Sequence, residues 1–140
     1  MYGPHLILDL YECDKQLLGD KDFVLNFLHT CPDKIGMRKI KEPDVMQWLE
    51  SPHPDWGVSG TVIIAESHIS IHTYPEKGFA VIDIFSCKNF DVDKTVKLVE
   101  STFKFKKCEK QLFFRGTHYP TDMNKTLKIV AKQRSKVNGK

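Results

Sequence analysis

The sequence has no stretch approaching the ~20 consecutive apolar residues that a membrane helix needs, so no membrane span is expected. Its opening, Met1-Tyr2-Gly3-Pro4-His5, lacks a basic region followed by a long apolar core, and no export signal is expected. Excess charge of one sign is small. The 21 Lys+Arg stand against 18 Asp+Glu, and a net charge of +3 argues against a nucleic-acid partner. Cysteine is sparse: Cys13, Cys31, Cys87 and Cys108 never pair as C-x-x-C, so neither a zinc knuckle nor a thioredoxin-type site is signalled. Also missing are a Gly-x-Ser-x-Gly elbow, a phosphate-binding glycine loop, an internal repeat and a linker.

What is present is an ordinary soluble balance, 41% hydrophobic and 28% charged, in 140 residues. That length suits one domain, which buries roughly 68% of its unfolded surface and needs no staples. A cytoplasmic location with reduced thiols is expected, each cysteine serving first as a small buried hydrophobe.

Leu6, Leu8 and Leu10 alternate with Ile7, Asp9 and Tyr11, which predicts a first strand. Asp20 can cap a helix over residues 21–31 with Phe23, Val24, Phe27, Leu28 and Cys31 as its stripe, ended by Pro32. Residues 37–41 are a weak strand candidate, residues 44–50 a short helical turn, and residues 51–57 a proline-containing loop. Residues 58–74 are the most β-rich. Residues 79–87 are apolar on both faces, which suits a central strand. Asp91 can cap a second helix to about Phe103, and residues 108–115 form a further strand. We therefore expect one domain over residues 1–120 and a basic C-terminal tail over 121–140. The fold class is α+β, a two-layer α/β sandwich with a mostly antiparallel sheet and helices on one face. Too few helices remain to cover the other face, which points to dimerisation through it.

The segment Glu66-Ser67-His68-Ile69-Ser70-Ile71-His72-Thr73-Tyr74-Pro75-Glu76 sets serines, histidines and glutamates in a β-rich context. Ser/His pairs suggest a nucleophile with a base. His68 and His72 at i, i+4 suggest a metal only on a helix, and the β-branched neighbours oppose a helix, so no metal is expected. From composition alone, the segment is either a catalytic array or a polar-lined strand.

With Val81-Ile82-Asp83-Ile84-Phe85-Ser86-Cys87 downstream, Gly57-Val58-Ser59-Gly60 upstream and Gly3-Pro4-His5 near the start, this array resembles the short prokaryotic S-adenosylmethionine decarboxylase proenzymes. The resemblance runs to about Arg115 and fades after His118. It implies a self-processing, pyruvoyl-dependent lyase that converts S-adenosylmethionine to its decarboxylated form plus carbon dioxide, for spermidine and other polyamines. Ser67 would attack the carbonyl of Glu66. Cleavage between Glu66 and Ser67 would then give a β chain of residues 1–66 and an α chain of residues 67–140 opened by a pyruvoyl group. That group forms a Schiff base with the substrate amine. By the same resemblance His72 is the processing base, Ser59 supports processing, and Cys87 is the proton donor. Cys87 could equally be a plain core residue. Tyr74, Glu76 and Trp56 would bind the substrate, Glu76 through the ribose hydroxyls; loop packing is the other reading of Trp56. The expected assembly is a homodimer of αβ units.

On an unbroken strand Ser67 and His72 would point to opposite faces, about 16 Å apart at ~3.3 Å per residue. Either the chain bends or bulges near residues 67–68, or a partner chain supplies His72. Two other readings stay open: a pyruvoyl-dependent arginine or ornithine decarboxylase on the same scaffold, and a non-processing α+β binding module.

Overall fold

The computed structural model describes residues 1–120 and 131–132. The basic tail expected over 121–140 otherwise lies outside the described residues. In chain order the elements are β1 (Gly3–Tyr11), α1 (Lys15–Leu18), α2 (Lys21–Lys34), β2 (Arg38–Lys39), β3 (Asp44–Trp48), β4 (Gly57–Ala65), β5 (Ser67–Tyr74), a 3-10 turn (Pro75–Lys77), β6 (Phe79–Ser86), α3 (Val92–Phe103) and β7 (Lys107–Arg115).

The alternation in β1 sends Leu6, Leu8 and Leu10 to one side, and all three are fully buried. Ile69 and Ile71 of β5 join them there, as do Ile82 and Ile84 of β6 and Val62 and Ile64 of β4. Helix α2 opens where the Asp20 carboxylate accepts from the Phe23 N–H, and α3 where Asp91 accepts from the Lys94 N–H. The helices bring Val24, Phe27, Leu28, Val99 and Phe103 onto the same core, and the Phe27 and Phe103 rings meet edge to face at 4.9 Å.

Among the described residues seven strands form one antiparallel sheet in the order β2-β4-β5-β6-β1-β7, with β3 also on β4. The two-layer α+β expectation therefore holds, and β6 is an interior strand between β5 and β1. Three local expectations change. Residues 44–48 form β3, not a helical turn, because pairing with Gly57–Thr61 supplies backbone partners that a lone turn would lack. Pro32 does not end α2. It sits buried in the final turn, and the helix runs on to Lys34. The β-rich run 58–74 is a tight hairpin, β4 and β5 in register from Ser59↔His72 to Ile64↔Ser67. No bulge falls between Ser67 and His68: β5 is continuous from Ser67 to Tyr74.

Candidate active site

Two polar centres lie at different heights of the sheet. The second is on the open face opposite the helices. The first is at its edge, where register sets Ser67 with the helix-side Ile64 and Ser86 but its Oγ reaches Tyr2, whose ring packs on Phe85 of the open face. The first lies at the β4–β5 hairpin. Ser67 opens β5 with φ +126°, a region that L side chains rarely adopt and that costs of order 1–3 kcal/mol. Its Oγ shares a hydrogen bond with the Tyr2 Oη at 3.1 Å, and the Tyr2 ring packs on Phe85 at 5.3 Å. Just past β6, the Cys87 backbone N–H donates to the Glu66 carbonyl at 3.3 Å. Gly3 explains how the sheet reaches this point: a Cβ there would lie 1.9 Å from the Ser86 carbonyl oxygen, so only glycine lets β1 pass the Cys87 backbone. Cys87 is half-buried and free.

The second centre is further along the hairpin, where Ser59 of β4 faces His72 of β5. Ser59 Oγ and His72 Nδ1 are hydrogen-bonded at 2.8 Å. Both line an open cleft of about 510 Å³ with Asp44, Met46, Thr61 and Ser70. Gly57, at the start of β4, lies so close to β5 that a Cβ would come within 1.8 Å of the Thr73 carbonyl oxygen.

Of the residues the sequence singles out, Ser67, Glu66 and Cys87 are thus brought together, and so are Ser59 and His72. The two groups do not meet in one chain, because Ser67 and His72 begin and nearly end the same unbroken strand.

The third group, near the 3-10 turn, is tied internally. Glu76 Oε1 accepts from the Trp56 indole N–H at 2.9 Å and from the Ser51 hydroxyl at 3.2 Å. The Trp56 ring lies over Gly19, where a Cβ would meet it at 2.7 Å. Tyr74 stacks on Phe79 at 5.9 Å, with the Lys77 ammonium 5.5 Å from its ring. Sequence reasoning missed Trp48. It is 65% exposed on β3 and shares a cleft of about 580 Å³ with Tyr74, Phe79, Asp55 and Lys77. The assignment of residues 44–50 to a helical turn hid it; the alternation Val45-Met46-Gln47-Trp48 was the available signal.

Among the described residues no group of three or more His, Cys, Asp or Glu is placed to hold a metal ion. No helix among them is long and apolar enough to cross a membrane.

Residues 4–116 match the S-adenosylmethionine decarboxylase family. The chain is 37% identical over 115 residues to an S-adenosylmethionine decarboxylase proenzyme of Clostridium botulinum (strain Hall), covering 81% of this chain and 94% of that protein. With the proenzyme of Pyrococcus horikoshii the identity is 39% over 104 residues, 73% of this chain and 70% of the other. With that of Synechococcus sp. (strain WH7803) it is 39% over 87 residues, 62% of this chain and 63% of the relative's length. The crystal structure of the adenosylmethionine decarboxylase from Aquifex aeolicus superposes with a TM-score of 0.68 at 27% identity, over 86% of this chain and 95% of that one. The chain belongs to the S-adenosylmethionine decarboxylase family.

Proposed function

We propose that this chain cuts itself between Glu66 and Ser67, converts Ser67 to a pyruvoyl group, and decarboxylates S-adenosylmethionine in the cytoplasm as a face-to-face homodimer. The observation that carries this reading is the state of the 66–67 peptide. Its carbonyl already accepts a backbone N–H from Cys87, and its serine is held in a strained backbone conformation. Both favour the shift: the donor stabilises the oxyanion that forms at Glu66, and rearrangement releases the strain. The residues present therefore fit the precursor of a pyruvoyl group.

In the first step Ser67 Oγ adds to the Glu66 carbonyl carbon, the peptide C–N bond breaks, and the ester leaves Ser67 with a free amine. Tyr2 holds the Oγ in place meanwhile. A base then removes the Ser67 Cα proton, the Cβ–Oγ bond breaks, and Glu66 departs as a carboxylate. Water adds to the former Ser67 Cα and ammonia leaves it, so the water oxygen becomes the pyruvoyl carbonyl, which supplies an electron sink for a substrate amine.

The base is His72, steadied by Ser59, and it comes from a second copy. A strand of this length keeps a chain's own His72 about 16 Å from its Ser67. Two open faces related by a twofold axis bring each Ser67 against the partner's His72, and the same pairing covers the face the helices leave bare. Cys87 donates the proton to the substrate Cα. Tyr74, Phe79 and Trp48 offer aromatic faces to the adenine and the sulfonium, and Glu76 accepts from the ribose hydroxyls. The four free thiols suit a reducing compartment.

Intact mass of the purified protein tests the first half: two fragments of 66 and 74 residues are expected, and Ser67→Ala should stay whole and inactive. Carbon dioxide release from S-adenosylmethionine, arginine and ornithine tests the second. A fully active single chain would overturn the processing, and release from arginine or ornithine alone would overturn the substrate.

A further inference from the structure

Strand register rules the open face into rows. One row crosses the sheet as His68, Phe85 and His5, and the next as Ser70, Asp83 and Ile7. Asp83 joins the rows: its Oδ1 meets His5 Nε2, and its Oδ2 meets His68 Nε2 at 3.2 Å. The carboxylate is half-buried, with His5 ring-stacked on Phe85 at 4.9 Å. Neither the processing steps nor the decarboxylation uses these three side chains.

Their position matters under the paired-face reading, on which this inference rests. Ser67 and the partner's His72 can oppose each other only if the twofold axis lies between the faces and runs across the strands. Since both residues belong to β5, the axis crosses β5 midway between them, at Ile69–Ser70. Register then carries it across β6 between Asp83 and Ile84, and across β1 between Leu6 and Ile7. Asp83 therefore stands half a residue from the axis and faces its own symmetry copy, across sheets that pack ~10 Å apart.

Two carboxylates brought face to face in a seam that excludes water repel, unless protons accompany them. The titratable groups on this face around each Asp83 are His5 and Asp9 on β1, His68 and His72 on β5, and Lys107, Glu109 and Arg115 on β7; β4 adds no charge, and beyond it stand Asp44 of β3 and Arg38 of β2. With both imidazoles neutral, each donating its Nε2–H, the bridge carries one negative charge. One imidazolium cancels it, and imidazole is the side chain able to make that change near neutral pH.

We infer that the His5–Asp83–His68 bridge is a proton-linked clasp at the centre of the paired faces, each bridge taking one proton from solvent as the two copies meet. The dimer then tightens as pH falls.

Sedimentation equilibrium of the full chain at a series of pH values reads the clasp directly. The dissociation constant should rise with pH, by up to tenfold per pH unit for each proton taken up. Asp83→Asn should still pair but lose the slope, and His5→Gln and His68→Gln should each lower it. A dimer whose constant is flat with pH overturns the clasp and leaves the paired faces standing. A slope unchanged in Asp83→Asn overturns it too. Should Asp83→Asn fail to fold, an unchanged slope in both glutamine variants overturns the clasp in its place. A wild-type chain that is monomeric at every pH overturns the paired-face reading itself.

Discussion

The backbone N–H of Cys87 donates to the Glu66 carbonyl, so one residue touches the bond proposed for cleavage through its main chain and offers its thiol separately. Main chain and side chain can be tested apart. Cys87→Ser keeps the N–H, and the variant should cleave at the normal position. Its decarboxylation should fall on the order of 10²-fold or more, the usual scale for removing a general acid. Protonation at the wrong carbon should also leave alanine at the start of the second fragment. Turnover per pyruvoyl group in processed protein is the measurement; wild-type rates would return Cys87 to the core.

Mixed dimers decide where His72 acts. Combine a chain carrying His72→Ala with one carrying Ser67→Ala, one of them tagged. If the base comes across the interface, the His72→Ala chain in the mixed dimer is cut, because its Ser67 meets an intact histidine. If the base acts within its own chain, neither is cut. Denaturing electrophoresis of the co-expressed pair distinguishes the two. Alone, His72→Ala should stall, with hydroxylamine releasing any ester already formed.

Trp48 and Trp56 should behave differently. Trp48 presents an open ring beside Tyr74 and Phe79, whereas Trp56 is spent on Glu76 and Gly19. Removing one aromatic contact worth about 1.4 kcal/mol raises KM about tenfold. Trp48→Ala should do this with kcat and the melting temperature little changed. Trp56→Ala should lower the melting temperature. A Trp48→Ala enzyme with unaltered KM would remove the ring from the substrate site.

Stability should fall in alkali for an identifiable reason. Burial pushes the Cys31 thiol up to about 12, and burial with the neighbouring Cys108 pushes Cys13 up to about 11. An unfolded thiol ionises near ~8.5. Above that pH the unfolded chain holds fewer protons than the folded one, so folding free energy declines as pH rises. The slope approaches ~1.4 kcal/mol per pH unit for each such thiol. Urea denaturation from pH 8 to 10.5 should show a shallower decline in Cys31→Ala than in wild type.

The layering was readable because Leu6, Leu8 and Leu10 alternate cleanly and because Asp20 and Asp91 stand where caps belong. Residues 44–48 were not, since a short segment that pairs only at a sheet edge takes its conformation from the neighbour more than from its own propensity. The motif residues were legible one by one. Their division into two centres was not, because it depends on a hairpin register that fixes Ser59 against His72 and Ile64 against Ser67. Asp83, His5 and Tyr2 carry no signal of a role in the linear sequence. Only three-strand adjacency joins Asp83 to both histidines.

A cut between Glu66 and Ser67 would fall in the tightest turn of the sheet, and its mechanical outcome follows from the strand order. The first fragment would own β1, lodged between β6 and β7 of the second, while β4 of the first would lie along β5 of the second. The fragments would be interleaved like fingers of two clasped hands, each completing the other's sheet at two separate places. Pulling them apart means melting the core, so the nicked molecule should behave in every native separation as one indivisible particle.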